Sequence, residues 1–284
     1  MKQSQCLKLF AVIVSITVGS SHVWATGPRV TQALLSPSEN QIYTDDFPPF
    51  SSTDISTGGF AAEIINTAMK GAKLDFVQTT LPLQRMVKFY LKQEGALAIY
   101  GRHLSFTKKE NKNLIYIPIV VNTEKYFYYS PAHKNELTWT GNLKAFNSYT
   151  YGAQTGENTD KYKKAGVRVQ YGRTHSLLKK MITKKVDFIS APDINMQWMI
   201  DKYFLTEKDN IKPVNGFSKL EALSVIFNKR HKQGALAAKA FKKELAAMVK
   251  DGRYLAIVKK YAQAKDKPVN YVKRLANYNK SSNR

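Results

Sequence analysis

Strand-like and helix-like segments alternate along this chain, and this alternation limits its fold more than any other feature. Gln41–Thr44 has the pattern of a strand, and Phe60 begins a helical pattern with apolar residues three and four apart. The pattern then predicts a strand at 74–77, a helix from about Leu83 to Gln93 and a strand at 96–100. Strands that alternate with helices pack as a mostly parallel sheet covered by helices. The predicted fold class is therefore α/β.

A second set of alternating segments follows the turn-rich stretch 130–148. Strands are predicted at 149–152, 167–170, 186–190 and 222–227, and helices at 159–165, 176–183, 195–203, 234–250 and 253–262. Residues 114–121 and 125–129 are predicted to be extended. Two α/β units, joined near 125–130 and again near 221–227, predict two lobes with two crossover segments. Open sheets of this kind bind ligands at the carboxyl ends of their strands, so a ligand cleft is expected there.

The first 25 residues have the pattern of a secretory signal peptide. Lys2 and Lys8 precede an apolar run of ten residues from Leu9, and Val23-Trp24-Ala25 resembles a cleavage site. Ten apolar residues span about 15 Å as a helix, half of a bilayer core of about 30 Å. Cys6 lies before the apolar run, where a lipoprotein acyl site cannot be. We predict cleavage after Ala25 and a soluble product outside the cytoplasm; the alternative is a buried N-terminal helix.

The charge of the chain is strongly positive. Its 44 Lys and Arg residues against 21 Asp and Glu give +23, and removal of Lys2 and Lys8 leaves +21. Such a charge fits nucleic acid, an anionic surface or solvated helix faces. The basic residues are spread along the chain and an exported protein meets little nucleic acid, so we predict no nucleic-acid partner. Without Cys6 the chain has no cysteine, which excludes disulfides and thiolate metal sites.

The order of several short motifs resembles the family 3 bacterial extracellular solute-binding proteins, the amino-acid-type receptors of ABC importers. The resemblance covers about Gln41 to Tyr261. It is carried by these segments: Tyr43-Thr-Asp-Asp-Phe-Pro-Pro-Phe50, Gly59-Phe60 with Glu63, Leu81-Pro-Leu-Gln-Arg85, Ala98-Ile-Tyr-Gly-Arg102, Tyr151-Gly-Ala-Gln-Thr-Gly156, Lys185-Val-Asp-Phe-Ile-Ser-Ala-Pro-Asp193, and Lys250-Asp-Gly-Arg-Tyr-Leu-Ala-Ile-Val-Lys-Lys-Tyr261.

This resemblance implies the type II periplasmic-binding-protein fold. Residues 26–128 with 222–265 are then predicted to form lobe one, and residues 129–221 lobe two. Residues 1–25 are the predicted signal peptide, and residues 266–284 are predicted to form a basic C-terminal tail whose structure the sequence leaves open.

Two departures from the family pattern concern the ligand. Members that bind α-amino acids carry an arginine after the third strand that grips the ligand carboxylate. Here Lys108 and Lys109 stand in that region, and a lysine lacks the planar two-pronged donor of arginine. The acidic residue after the last lobe-two strand, Asp193, also comes one position later than the commonest spacing.

Nine residues are candidates for ligand binding: Asp46, Phe47, Phe50, Arg85, Tyr100, Arg102, Thr155, Gly156 and Asp193. Arg85 and Arg102 could grip an anionic group in a bidentate manner. The Thr155-Gly156 turn allows close approach of a ligand before a helix start, and the resemblance makes it the carboxylate-gripping turn.

Each candidate has a structural alternative. Phe47 and Phe50 could sandwich a ligand or pack around the rigid prolines between them, and Tyr100 could line the pocket or lie beneath it. Arg85 could be a solvated helix charge. Asp46 could belong to a turn, and Asp193 could hold an ammonium group or cap a helix.

The sequence therefore predicts a periplasmic receptor that captures a small polar, carboxylate-bearing, amino-acid-like solute for an ABC permease by hinge closure. It is expected to be a monomer without cofactor or metal. One alternative is a ligand sensor that signals to a membrane receptor. A small-molecule enzyme on the same fold is the other. The chain has no H-E-x-x-H, P-loop or G-x-S-x-G motif, so we predict that it is not an enzyme.

Overall fold

The computed structural model describes residues 40–92, 96–101, 106, 108–261 and 268–282. The predicted signal peptide and the predicted ligand residue Arg102 lie outside these described residues. The strands are β1 Gln41–Thr44, β2 Val77–Thr80, β3 Ala96–Gly101, β4 Leu114–Tyr129, β5 Thr150–Gln154, β6 Arg168–Gly172, β7 Phe188–Pro192, β8 Ile211–Pro213 and β9 Lys219–Asn228. The helices are α1 Phe60–Gly71, α2 Leu83–Lys92, α3 Lys108–Asn111, α4 Asp160–Lys164, α5 Thr174–Ile182, α6 Asp193–Tyr203, α7 Gly234–Asp251, α8 Arg253–Tyr261 and α9 Pro268–Ser282.

The strands form a sheet in the order β2-β1-β3-β9-β4-β7-β5-β6, with β8 paired to β4. At one end β1 is parallel to β2 and β3, and at the other end β5 is parallel to β6 and β7. The two long strands in the middle, β4 and β9, are antiparallel to each other and join the two parallel sets. This arrangement confirms the predicted α/β class with two lobes and two crossover segments.

The crossover strands β4 and β9 pair over most of their length. Leu114 to Pro118 lie opposite Ser224 to Asn228, and a register shift between Pro118 and Val120 precedes the regular pairing of 120–124 with 219–223. Beyond this pairing, residues 124–128 of β4 pair with β7 of lobe two. One continuous strand therefore leads from one lobe into the other.

Four buried clusters form the core. The largest lies in lobe one, where α1, α7, α8 and α9 cover one face of the sheet. A smaller cluster around Tyr43, Met86 and Tyr90 covers its other face. Lobe two has an aliphatic cluster under α5 and α6 and an aromatic cluster on the opposite face. Within the described residues, no helix combines the length and apolar character needed to cross a bilayer.

Several elements differ from the sequence prediction, which had no counterpart of α3 or β8. The second strand occupies 77–80 instead of 74–77, because Leu74 and Phe76 pack against the core of lobe one before the strand begins. The two predicted extended segments at 114–121 and 125–129 form the single strand β4. The C-terminal residues 268–282 form α9, which the sequence had left open, with Tyr271 and Leu275 buried in the core of lobe one.

Candidate functional site

A cavity of about 340 Å³ lies between the two lobes at the carboxyl ends of the parallel strands. Asp45 follows β1 and Tyr100 lies at the end of β3, so both reach the cavity from lobe one. Gly156 follows β5 and Ser190 lies on β7, so both reach it from lobe two. A cavity of this size falls in the range that holds small organic ligands, which is about 300–1,000 Å³.

The floor of this cleft is formed by the crossover strands, which contribute two carboxylates. Glu124 on β4 is only 7% exposed, and its Oε1 accepts a hydrogen bond from Ser190 Oγ at 2.7 Å. Glu221 on β9 forms an ion pair with Lys219, with 2.7 Å between Nζ and Oε2. All four side chains line the cavity. Acidic groups thus lie at the junction of the lobes, where a ligand held by both lobes would meet them.

Aromatic rings form the wall on the side of lobe two. Tyr126 and Phe217 stack with ring centroids 3.8 Å apart and planes 15° from parallel, and Tyr162 stacks on Tyr151 at 3.9 Å. The hydroxyls of Tyr126 and Tyr162 are hydrogen-bonded at 3.0 Å. Burial raises the pKa of Tyr126 to about 12, and burial also raises the pKa values of Tyr151 and Tyr162. These phenols stay neutral, so the wall supplies ring faces and hydroxyls but no charge.

The turn after β5 is held by Glu157. Its two carboxylate oxygens accept hydrogen bonds from the Tyr151 hydroxyl at 2.7 Å and the Gln154 backbone N–H at 3.0 Å. Lys161 lies over the Tyr162 ring, with Nζ 4.8 Å from the centroid. The carboxylate therefore ties this cleft-lining turn to the aromatic wall.

A second cavity of about 290 Å³ adjoins the first, because Asp45, Phe47 and Gln154 line both. Its other lining residues include Thr155 after β5 and Arg173, which precedes α5. The guanidinium of Arg173 gives this end of the cleft a group that can bind a carboxylate.

The structure brings five of the nine predicted residues to the cleft. Phe47, Tyr100 and Gly156 line the first cavity. The second cavity is lined by Asp46 and Thr155, and again by Phe47. Gly156 has a φ of +96°, a conformation that glycine adopts without strain. Their contact with a ligand stays a prediction.

Three other predicted residues, Phe50, Arg85 and Asp193, line neither cavity, and Arg102 is outside the described residues. Phe50 packs in the core between Phe47 and Phe60, at centroid distances of 5.3 and 6.2 Å. The Arg85 side chain is exposed on α2. Asp193 begins α6 and forms an ion pair with Lys125, with 3.0 Å between the charged atoms.

Sequence reasoning missed the acidic and aromatic lining: Glu124, Glu157, Glu221, Tyr126, Tyr162 and Phe217. One signal was available for Glu124, because a carboxylate in the interior of a long strand needs a partner or a function. Across the described part of the chain, no group of three or more His, Cys, Asp or Glu side chains could hold a metal ion.

No protein-family model matches this chain, and the comparison with curated proteins gave no match. Solved structures do match. A histidine kinase sensor domain with similarity to periplasmic binding proteins has a TM-score of 0.64 at 15% identity, covering 80% of this chain and 97% of that one. The GluR0 ligand-binding core from Nostoc punctiforme with L-glutamate has a TM-score of 0.63 at 13% identity, covering 78% and 98%.

The arginine-, lysine-, histidine-binding protein ArtJ from Geobacillus stearothermophilus has a TM-score of 0.63 at 16% identity, covering 83% of this chain and 100% of that one. These similar structures are consistent with the resemblance to family 3 solute-binding proteins. Identities this low show the fold alone, and they agree with the lobes and crossover strands described above. The chain has the two-lobed, type II periplasmic-binding-protein fold.

Proposed function

We propose that this chain is an exported periplasmic receptor that captures a small polar, amino-acid-like solute and delivers it to an ABC permease. The observation that carries the proposal is the position of the main cavity. Residues of lobe one, residues of lobe two and both crossover strands line it. A ligand in this cavity would contact both lobes only when they are close together, so its binding energy would favour the closed state.

The second cavity supports a carboxylate on the solute. Arg173 and the Thr155 turn lie at this end of the cleft, next to Asp45, Phe47 and Gln154, which line both cavities. A solute of amino-acid size could extend from one cavity into the other and use both sets of groups. The protein acts as a monomer in this proposal, because one chain supplies both sides of the cleft.

The experiment is a ligand panel on the mature protein after refolding, which removes any copurified solute. Amino acids, organic acids, short peptides and sugars are titrated by calorimetry, and small-angle X-ray scattering measures the radius of gyration with and without each binder. We expect at least one amino-acid-like solute to bind and to reduce the radius of gyration. Binding without compaction, or no binding by any solute of the panel, would refute capture by hinge closure.

A signalling role is the second candidate, because a histidine kinase sensor domain is among the structures most similar to this chain. The test is in vivo crosslinking of the full-length protein, followed by mass spectrometry of the captured membrane protein. A permease supports import, whereas a sensor kinase supports signalling. Recovery of the bound solute chemically unchanged would separate both roles from an enzyme.

A further inference from the structure

Helix α7 of lobe one buries one side and exposes a basic side. The residues that it buries in the core of lobe one are Ala237, Ala238, Phe241, Leu245 and Met248. Four lysines and one leucine of the same helix are exposed to solvent: Lys239, Lys242, Lys243, Lys250 and Leu236. Leu236 is 73% exposed, which is unusual for a large apolar side chain. We call these five residues the basic face of α7.

Helix geometry shows that the basic face is continuous. Each residue of an α-helix is rotated by about 100° from the residue before it, so all five residues lie within about 60° of the direction of Lys239. The face extends from Leu236 to Lys250, which is about 21 Å at a rise of about 1.5 Å per residue. The acids of α7, Glu244 and Asp251, lie about 120–140° away from the direction of Lys239. The basic face therefore contains positive charge alone.

The acids beside this face are neutralised by a different residue. The guanidinium of Arg253, at the start of α8, lies 2.7 Å from Glu244 Oε1 and 2.6 Å from Asp251 Oδ2. Among the described residues, no acid forms an ion pair with a lysine of the basic face. Arg253 thus holds both nearby carboxylates and leaves the charge of the four lysines directed at solvent.

The residue types of the basic face distinguish between classes of partner. Protein interfaces are enriched in arginine and aromatic residues and depleted in lysine, whereas the charges of this face are all lysines and it has no aromatic residue. A lysine is a compact charge on a flexible stem, which suits the mobile phosphates of a lipid surface because it requires no fixed geometry. An exposed leucine among lysines is typical of helices that lie on such surfaces.

We propose that the basic face of α7 is a docking surface for a membrane that contains anionic phospholipid. The axis of α7 lies along the membrane surface, the four lysines contact the headgroup phosphates, and the Leu236 side chain enters the headgroup boundary. No residue of α7 is among the described lining of either cavity, so the docked protein keeps its cleft open to solutes. Docking goes beyond the proposed function, since solute capture does not require it.

The test is flotation of the refolded mature protein with lipid vesicles. Vesicles of phosphatidylcholine alone are compared with vesicles that contain about one-third phosphatidylglycerol, an anionic lipid. We expect the partition into the anionic vesicles to be at least about tenfold higher than into the neutral ones. Salt at about 1 M, which shortens the screening length to about 3 Å, should remove most of this difference.

Matched variants then locate the effect on α7. A basic residue near an anionic membrane contributes a factor of about five to the partition, so Lys239→Gln with Lys243→Gln should lower it about 25-fold. Leu236→Ala should lower it severalfold, because less apolar surface enters the boundary. The control, Lys134→Gln with Lys208→Gln, removes the same charge from exposed positions of lobe two and should change the partition much less. Circular dichroism checks that each variant is folded.

The outcomes separate docking from solute capture. Equal partition into both kinds of vesicle refutes docking, and so does an equal loss in the two double variants, which would show that only the net charge matters. Capture of an acidic membrane protein through α7, without binding to anionic vesicles, would also overturn the proposal. The α7 double variant should bind the solutes of the panel as the unmodified protein does, so either proposal can fail while the other stands.

Discussion

A hydrogen bond between the lobes offers a direct test of how this fold closes. Asn195 on α6 of lobe two is fully buried, and its Nδ2 donates to the backbone oxygen of Pro48, in the loop after β1 of lobe one. Its neighbour Ile194 belongs to the large core cluster of lobe one. We predict that Asn195→Ala weakens this junction and shifts the lobes toward the open state.

The magnitude follows from the groups that the substitution leaves behind. The buried Pro48 carbonyl would lose its Asn195 donor, and a buried acceptor left without a partner costs about 1–3 kcal/mol. Asn195 Oδ1 is itself buried without a partner in the structure, so its removal recovers part of that cost. The net change is about 1–2 kcal/mol, a factor of about 5–30 in the equilibrium between open and closed lobes. The exposed pair of Lys202 and Asp54, 3.7 Å apart, should contribute less than about 1 kcal/mol.

The assay combines scattering and titration. Asn195→Ala should increase the radius of gyration of the ligand-free protein or weaken the binding of any solute found in the panel by about 5–30-fold. Thr183→Ala, which removes a hydrogen bond at the exposed end of α5, is the control. If Asn195→Ala changes neither quantity by more than the control does, the bond does not couple the lobes and the reasoning is wrong.

Two further predictions concern stability. Gly59 has a φ of +103°, and an added Cβ would lie 2.7 Å from the Phe50 carbonyl oxygen, so Gly59→Ala should lower the free energy of unfolding by more than about 2 kcal/mol. Gly141→Ala, at a φ of +83° in open space, should cost only about 1 kcal/mol in the same urea titrations; equal losses would contradict the role of the close approach. Because burial raises the pKa of Tyr126 to about 12, the folded protein keeps a proton that the unfolded chain releases near pH 10. Stability should therefore fall from pH 10 to 12, and Tyr126→Phe should lessen that fall; an undiminished fall would contradict this assignment.

Much of the fold could be predicted from the sequence because its elements have clear local signals. The 3.6-residue pattern of Phe60–Gly71 and the Asp251-Gly252 stop between α7 and α8 placed helices within a few residues of their observed bounds. The continuous β4 was harder to predict, because Pro118 and the polar run Asn122 to Glu124 interrupt its apolar pattern. The register shift at Pro118 allows the strand to continue past this interruption.

The site was predictable only in part. Phe47, Tyr100 and Gly156 lie at the end of a predicted strand or within four residues after it, and the rule for open α/β sheets places such residues at the ligand cleft. Glu124 and Glu221 come together only because β4 and β9 pair across about 100 residues of chain, and no local pattern reveals that register.

The chain is basic but its cleft is acidic, so the position of each charge determines how strongly it interacts with a bound ligand. The sequence charge of +23 fits solvated helix faces as well as an anionic partner, and charges on the solvated surface are screened over about 8 Å at physiological ionic strength. Charges in a closed cleft are screened much less, since protein replaces water around them. Within the described lining, the four carboxylates of the cavity, which include Glu124 and Glu221, would then outweigh its two lysines, Lys161 and Lys219, and the more numerous lysines farther away. Because Glu124 and Glu221 lie on β4 and β9, the strands that join the lobes would also contact the charged group of a ligand.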